Sequence, residues 1–113
     1  MDQINKHNCL DEIKRRLSSE VLARFSLAAI RAHAKENLLR WKKKGTWGAA
    51  YEEWFMIIEF AEDSVLTSYM IGLDENSNRL RQSIPYVGML DQDVVRSIKA
   101  EFKRNEDCDN RNS

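Results

Sequence analysis

Residues 20–44, EVLARFSLAAIRAHAKENLLRWKKK, run without proline or glycine until Gly45. At 3.6 residues per turn this is about seven turns of uninterrupted helix-forming sequence. The run predicts one long central helix and constrains the rest of the chain to pack around it. Stepping about 100° per residue separates it into four faces. Val21, Leu22, Phe25, Ala29, Ala32 and Leu39 make one apolar face; Ala23, Leu27, Ile30, Ala34, Leu38 and Trp41 make a second, roughly opposite. Between them lies a basic stripe of Arg24, Arg31, Lys35 and Lys42, and the fourth face carries Ser26, His33, Asn37 and Arg40. A surface helix needs one apolar face. Two such faces require two coverings, from the chain's own helices or from a partner.

Scarce glycine and proline, 4 and 1 in 113 residues, favour helix over turn-rich β structure. The expected fold is all-α: a single domain of four to five helices around residues 20–44, with a flexible arm at 1–8, a helical body at 9–104 and a disordered tail at 105–113. A chain of this length buries a core without disulfide or metal staples. Leu10, Ile13 and Leu17 recur at helical spacing and predict a short helix over 9–17 behind an Asn8 cap, with Ser18 and Ser19 capping the long helix. Lys42, Lys43 and Lys44 before Gly45 pair cations with a negative helix end and a glycine free to turn left-handed. Thr46 is the expected cap of a helix over 47–61, forming a tight antiparallel hairpin with the long one. Asp63 or Ser64 opens a short helix stopped by Gly72, and Asp74 opens another. The segment 83–89 around the only proline reads as a loop or a short strand, and Asp91 caps a last helix over 92–104.

The formal net charge is zero, from 18 basic and 18 acidic residues, but the charges are segregated. Residues 14–44 hold ten Lys or Arg against Glu20 and Glu36, whereas residues 51–75 hold seven acids and no base. In a helical hairpin these segments face each other, so mutual neutralisation is the plain expectation. Otherwise Arg24, Arg31, Lys35 and Lys42, extended by Lys43 and Lys44, form a candidate surface for nucleic acid. A helix-turn-helix can also be read into 64–83, with Gly72 at the turn and Arg79 and Arg81 on the second helix, although its first helix begins with acids.

No catalytic constellation emerges. Of two histidines, His7 lies in the arm and His33 on the polar helix face, neither beside a nucleophile at a recognisable spacing. Glu52, Glu59 and Asp63 share a helix face, yet no metal-ligand spacing completes them. The glycines are scattered, which argues against a phosphate cradle. Cys9 and Cys108 are each solitary and read as free thiols in a reducing compartment, the alternative being a disulfide that staples the two ends. No apolar run reaches the ~18 to 20 residues of a membrane span, and the first residues lack an apolar signal core.

These readings converge on a small cytoplasmic, non-enzymatic adaptor or regulator without a cofactor. It would bind a protein partner in the manner of a bacterial antitoxin, immunity protein or inhibitor. The alternative is a nucleic-acid-binding regulator using the basic stripe. Leu22, Phe25, Ala29, Ala32 and Trp41 are the candidate face for a partner helix or a second copy of the chain.

Overall fold

The computed structural model describes residues 6–104, with side chains from Leu10 to Phe102. These residues form α1 (Lys6–Arg24), α2 (Leu27–Lys43), α3 (Ala49–Phe60), α4 (Asp63–Ile71), α5 (Glu75–Leu80), a 3-10 turn (Arg81–Ser83) and α6 (Gln92–Arg104). The fold is all-helical, with six α-helices rather than four or five and no strand among the described residues. The expectations for a flexible arm at 1–5, for the tail at 105–113 and for the thiols of Cys9 and Cys108 fall outside the described residues. Lys6, His7 and Asn8 do not belong to an arm, because α1 already includes them.

The single long helix is not formed. The chain turns at Phe25 and Ser26, so residues 20–24 close α1 and α2 starts afresh at Leu27. Ser26 takes extended backbone angles (φ −71°, ψ 157°), and its Oγ accepts the Ala29 N–H at 3.1 Å. That is the geometry of an N-cap, in which a side-chain oxygen satisfies a donor that the first turn leaves without a partner. The serines expected to cap, Ser18 and Ser19, lie inside α1 instead. Ser18 is fully buried, its Oγ 2.6 Å from Tyr86 Oη. A serine is tolerated within a helix when its hydroxyl finds a partner, and this partner lies 68 residues away.

The break removes the two-face problem. Ile30, Ala34 and Leu38 of α2 are fully buried, while Ala29, Ala32 and Leu39 are exposed, so α2 has the single apolar face of an ordinary packed helix. Val21 is buried too, but on α1. One cluster joins these residues to Trp54 and Ile58 of α3, Leu66 and Met70 of α4, Leu80 and Tyr86. Each large apolar side chain so buried contributes about 1.5 to 3 kcal/mol over exposure. Trp54 sits among aromatics, edge-on to Tyr69 (6.5 Å between centroids) and Tyr86 (5.8 Å), and its Nε1 donates to Leu80 O at 2.7 Å.

Helix ends follow local chemistry in two cases and long-range chemistry in two others. After α2, the Gly45 N–H donates to Lys42 O at 3.0 Å and the Thr46 N–H to Trp41 O at 2.9 Å, with Gly45 at φ +90°. This paired closure is the Schellman motif that the lysine run and glycine predict. Asp74 caps α5 as expected, accepting from the Ser77 N–H (3.1 Å) and hydroxyl (2.7 Å), bonds that hold its carboxyl below the usual range. Gly48 rather than Thr46 precedes α3, and Glu62 precedes α4. The ends of α3 and α4 are closed by arginines from elsewhere in the chain, Arg31 and Arg81.

The segment 83–89 is a loop, and the polar face of α2 holds it. His33 Nε2 donates to Val87 O at 2.7 Å, and Asn37 Nδ2 donates to Pro85 O (3.0 Å) and Val87 O (3.2 Å). Arg40 donates in turn to Asn37 Oδ1 at 2.5 Å. This face, which looks solvent-directed in the sequence, seats Pro85 and Tyr86 in the interior. Asn37 is correspondingly buried, its amide satisfied as a buried polar group must be.

Candidate binding cleft

The basic stripe is largely spent on the protein itself. Arg31 donates to Ile57 O (3.3 Å), Ile58 O (2.7 Å) and Ala61 O (2.8 Å), and to Asp63 Oδ1 (2.9 Å). Its guanidinium therefore closes the C-terminal end of α3, where the last carbonyls carry partial negative charge. Lys35 Nζ lies 3.1 Å from Glu59, and Arg24 Nε 2.6 Å from Glu20. Hydrogen bonds from Arg16 and then Arg24 hold the Glu20 carboxyl below its ordinary value. Lys42 stands over the Trp47 ring, 5.1 Å from its centroid, a cation–π position. Lys43 and Lys44 are exposed, and no carboxylate among the described residues pairs with them. The basic and acidic segments thus meet across the α2–α3 hairpin, as their order along the chain suggests.

The arginines of the helix-turn-helix reading are engaged as well. Arg79 forms a two-pronged pair with Glu53, at 2.7 and 3.2 Å, which lowers the Glu53 pKa. Arg81 is buried and donates to Tyr69 O (2.9 Å), Gly72 O (2.6 Å) and Asn78 Oδ1 (2.6 Å) at the end of α4. Gly72 is required there by space: a Cβ would lie 2.4 Å from Ser68 O. Burial pulls the Arg81 guanidinium below its ordinary pKa, and burial pushes the Tyr86 phenol well above its own. The acids of α3 and of the start of α4 also have partners: Glu52 accepts from Trp47 Nε1 at 3.0 Å, while Glu59 and Asp63 hold Lys35 and Arg31.

Replacing Arg31 by alanine is therefore expected to cost about 2 kcal/mol of stability, because at least two carbonyls at the end of α3 lose a charged donor. Urea unfolding measures it, with duplex-DNA binding at low salt as the parallel readout. Unchanged stability with weakened DNA binding would return Arg31 to the role of a phosphate contact.

The candidate partner face is not one surface. Leu22, Phe25 and Trp41 are half-buried and packed against the core, whereas Ala29 and Ala32 are exposed on α2. Trp41 turns toward Tyr51 of α3, 5.4 Å between centroids, and both rings line a hollow of about 850 Å³. It is lined by Leu10, Ile13, Lys14 and Leu17 of α1, by Lys99 and Phe102 of α6, and by Arg81, Ile84 and Val87 of the segment between α5 and α6. A smaller hollow of about 260 Å³ continues it, sharing Leu17, Ile84, Val87 and Lys99 and reaching Val21, Tyr86 and Val95. Leu10 and Val87 remain 50% and 49% exposed here, apolar surface that the described chain does not cover.

The sequence marks half of this cleft. The spacing of Leu10, Ile13 and Leu17 identifies the apolar side of α1, and that of Val95, Ile98 and Phe102 the apolar side of α6. Neither reveals that these two stripes share a hollow with Trp41, Tyr51 and the segment 81–87. Among the described residues no helix is long and apolar enough to cross a membrane. Compared with protein-family models, curated proteins and solved structures, the chain matches none.

Proposed function

We propose that this chain is a non-enzymatic protein-binding module of the adaptor or regulatory kind, and that the cleft between α1 and α6 is its binding surface. The observation that carries the reading is the mostly apolar lining of an opening of about 850 Å³, with Leu10 and Val87 left half exposed on it. Concave, mostly apolar surface with a few placed polar groups is where ligands and partners seat. The competing nucleic-acid reading is weakened because Arg24, Arg31, Lys35 and Lys42 each satisfy a partner within the chain. Only Lys43 and Lys44 of that surface remain to meet phosphate.

A photo-crosslinking amino acid at Val87, in the cells that make the protein, tests the proposal against the same group at Glu75, an exposed position on α5. A discrete protein adduct from position 87 alone is expected. Adducts of a second copy of the chain would identify a homodimer. Equal or absent labelling at both positions would overturn the cleft as the binding surface. Salt-sensitive duplex binding abolished by Lys43→Ala with Lys44→Ala would promote the nucleic-acid reading in its place.

A further inference from the structure

We infer that the cleft takes an acidic amphipathic helix of about three turns, presented by a partner protein; this rests on the cleft being the binding surface. The first support is charge. The chain has 18 acids and 18 bases, yet among the described residues both hollows together are lined by three cations, Lys14, Lys99 and Arg81, and by no carboxylate. Lys14 donates to the neutral Gln82 Oε1 at 3.1 Å. Asp11 is not part of the lining; its carboxylate lies behind Gln82, accepting from Nε2 at 2.6 Å. Arg81, only 1% exposed, bonds to neutral oxygens alone, and its Nε is without a partner. Three cations drawn from α1, α6 and the turn after α5, set around apolar surface, complement a ligand with carboxylates beside an apolar stripe.

The second support is shape. From Leu10 to Val21 the α1 wall advances by 11 residues, about 16 Å at 1.5 Å per residue, the length of three helical turns. Its apolar positions fall on one stripe, the pattern that receives anchors at i, i+3 or i+4 and i+7. An extended peptide is disfavoured because no strand edge exists among the described residues to pair its backbone, and unpaired amides on apolar walls are costly. A helix satisfies its own backbone. A fatty-acid carboxylate supplies one charge, where the lining holds three cations from three segments.

Display of random 16-residue peptides against the immobilised full chain tests this, with Lys14→Glu/Lys99→Glu and Leu10→Glu/Val87→Glu variants in parallel. Circular dichroism checks that each is folded, and Lys14→Ala/Lys99→Ala serves if the reversal perturbs the fold. Enriched peptides should carry helically spaced apolar residues flanked by Asp or Glu, gain helicity on binding, and lose about tenfold or more in affinity for the lysine reversal. Neutral or basic peptides that ignore the reversal but need Leu10 and Val87 would overturn the acidic helix and leave the cleft reading standing. Failure to enrich any peptide sensitive to Leu10 and Val87 would overturn both. Dodecanoate quenching of Trp41 fluorescence that acidic peptides cannot displace would overturn the helix in favour of a lipid-like acid.

Discussion

Alanine in place of Trp54 is expected to destabilise the protein by about 4 kcal/mol, the upper part of the range for removing a buried aromatic. The side chain is fully buried at the meeting point of α3, α4 and the loop that carries Tyr86. Three losses combine: the ring's transfer from water, its edge contacts with Tyr69 and Tyr86, and the donor to Leu80 O. Domains of this size have about 5 to 15 kcal/mol in total, so the variant is left marginal. Phenylalanine should recover about half, because it restores most of the ring but no N–H for the carbonyl. Urea midpoints with an unchanged m-value measure both. A loss below about 1.5 kcal/mol for the alanine variant would contradict Trp54 as the centre of the core.

Arg81→Leu is the second large effect, expected at about 3 kcal/mol. Burying a charge is costly, and replacing a buried ion pair with apolar side chains is often neutral. Arg81 differs because, among the described residues, no carboxylate is hydrogen-bonded to it and its bonds go to Tyr69 O, Gly72 O and Asn78 Oδ1. Leucine relieves the buried charge but strands two carbonyls at the end of α4, at about 1 to 3 kcal/mol apiece. Lysine retains the charge without the planar fork that reaches several acceptors at once, so it should lie between the two. Hydrogen exchange should accelerate first in α4 and α5. A leucine variant as stable as the parent would mean that the guanidinium is not closing the helix.

Both effects rest on features that the sequence shows only in part. Trp54 is legible as inward-facing from its spacing with Ala50, Tyr51, Ile57 and Ile58. Its hydrogen bond to Leu80 is not, because the acceptor is a backbone carbonyl 26 residues away. Arg81 in RLRQS reads as a surface cation, and arginine is rarely so buried. What draws it in is the end of α4, a set of carbonyls whose position follows from packing. Arg31 has the same history at the end of α3. Of six stripe and helix-end cations proposed as one binding surface, four therefore act within the fold.

The sequence by itself determined the all-helical class, the closure at Gly45, the cap at Asp74 and the opposition of a basic helix to an acidic one. Each depends on neighbours within a few residues or on segment order, and such interactions survive any packing of the helices. Only the tertiary structure decided that residues 20–44 break at Ser26, that His33 and Asn37 hold a loop, and that the apolar stripes of α1 and α6 border a hollow with Lys14, Lys99 and Arg81. Serine hydroxyls, amides and guanidinium groups choose among competing partners, and the winning partner is the one that packing brings within about 3 Å.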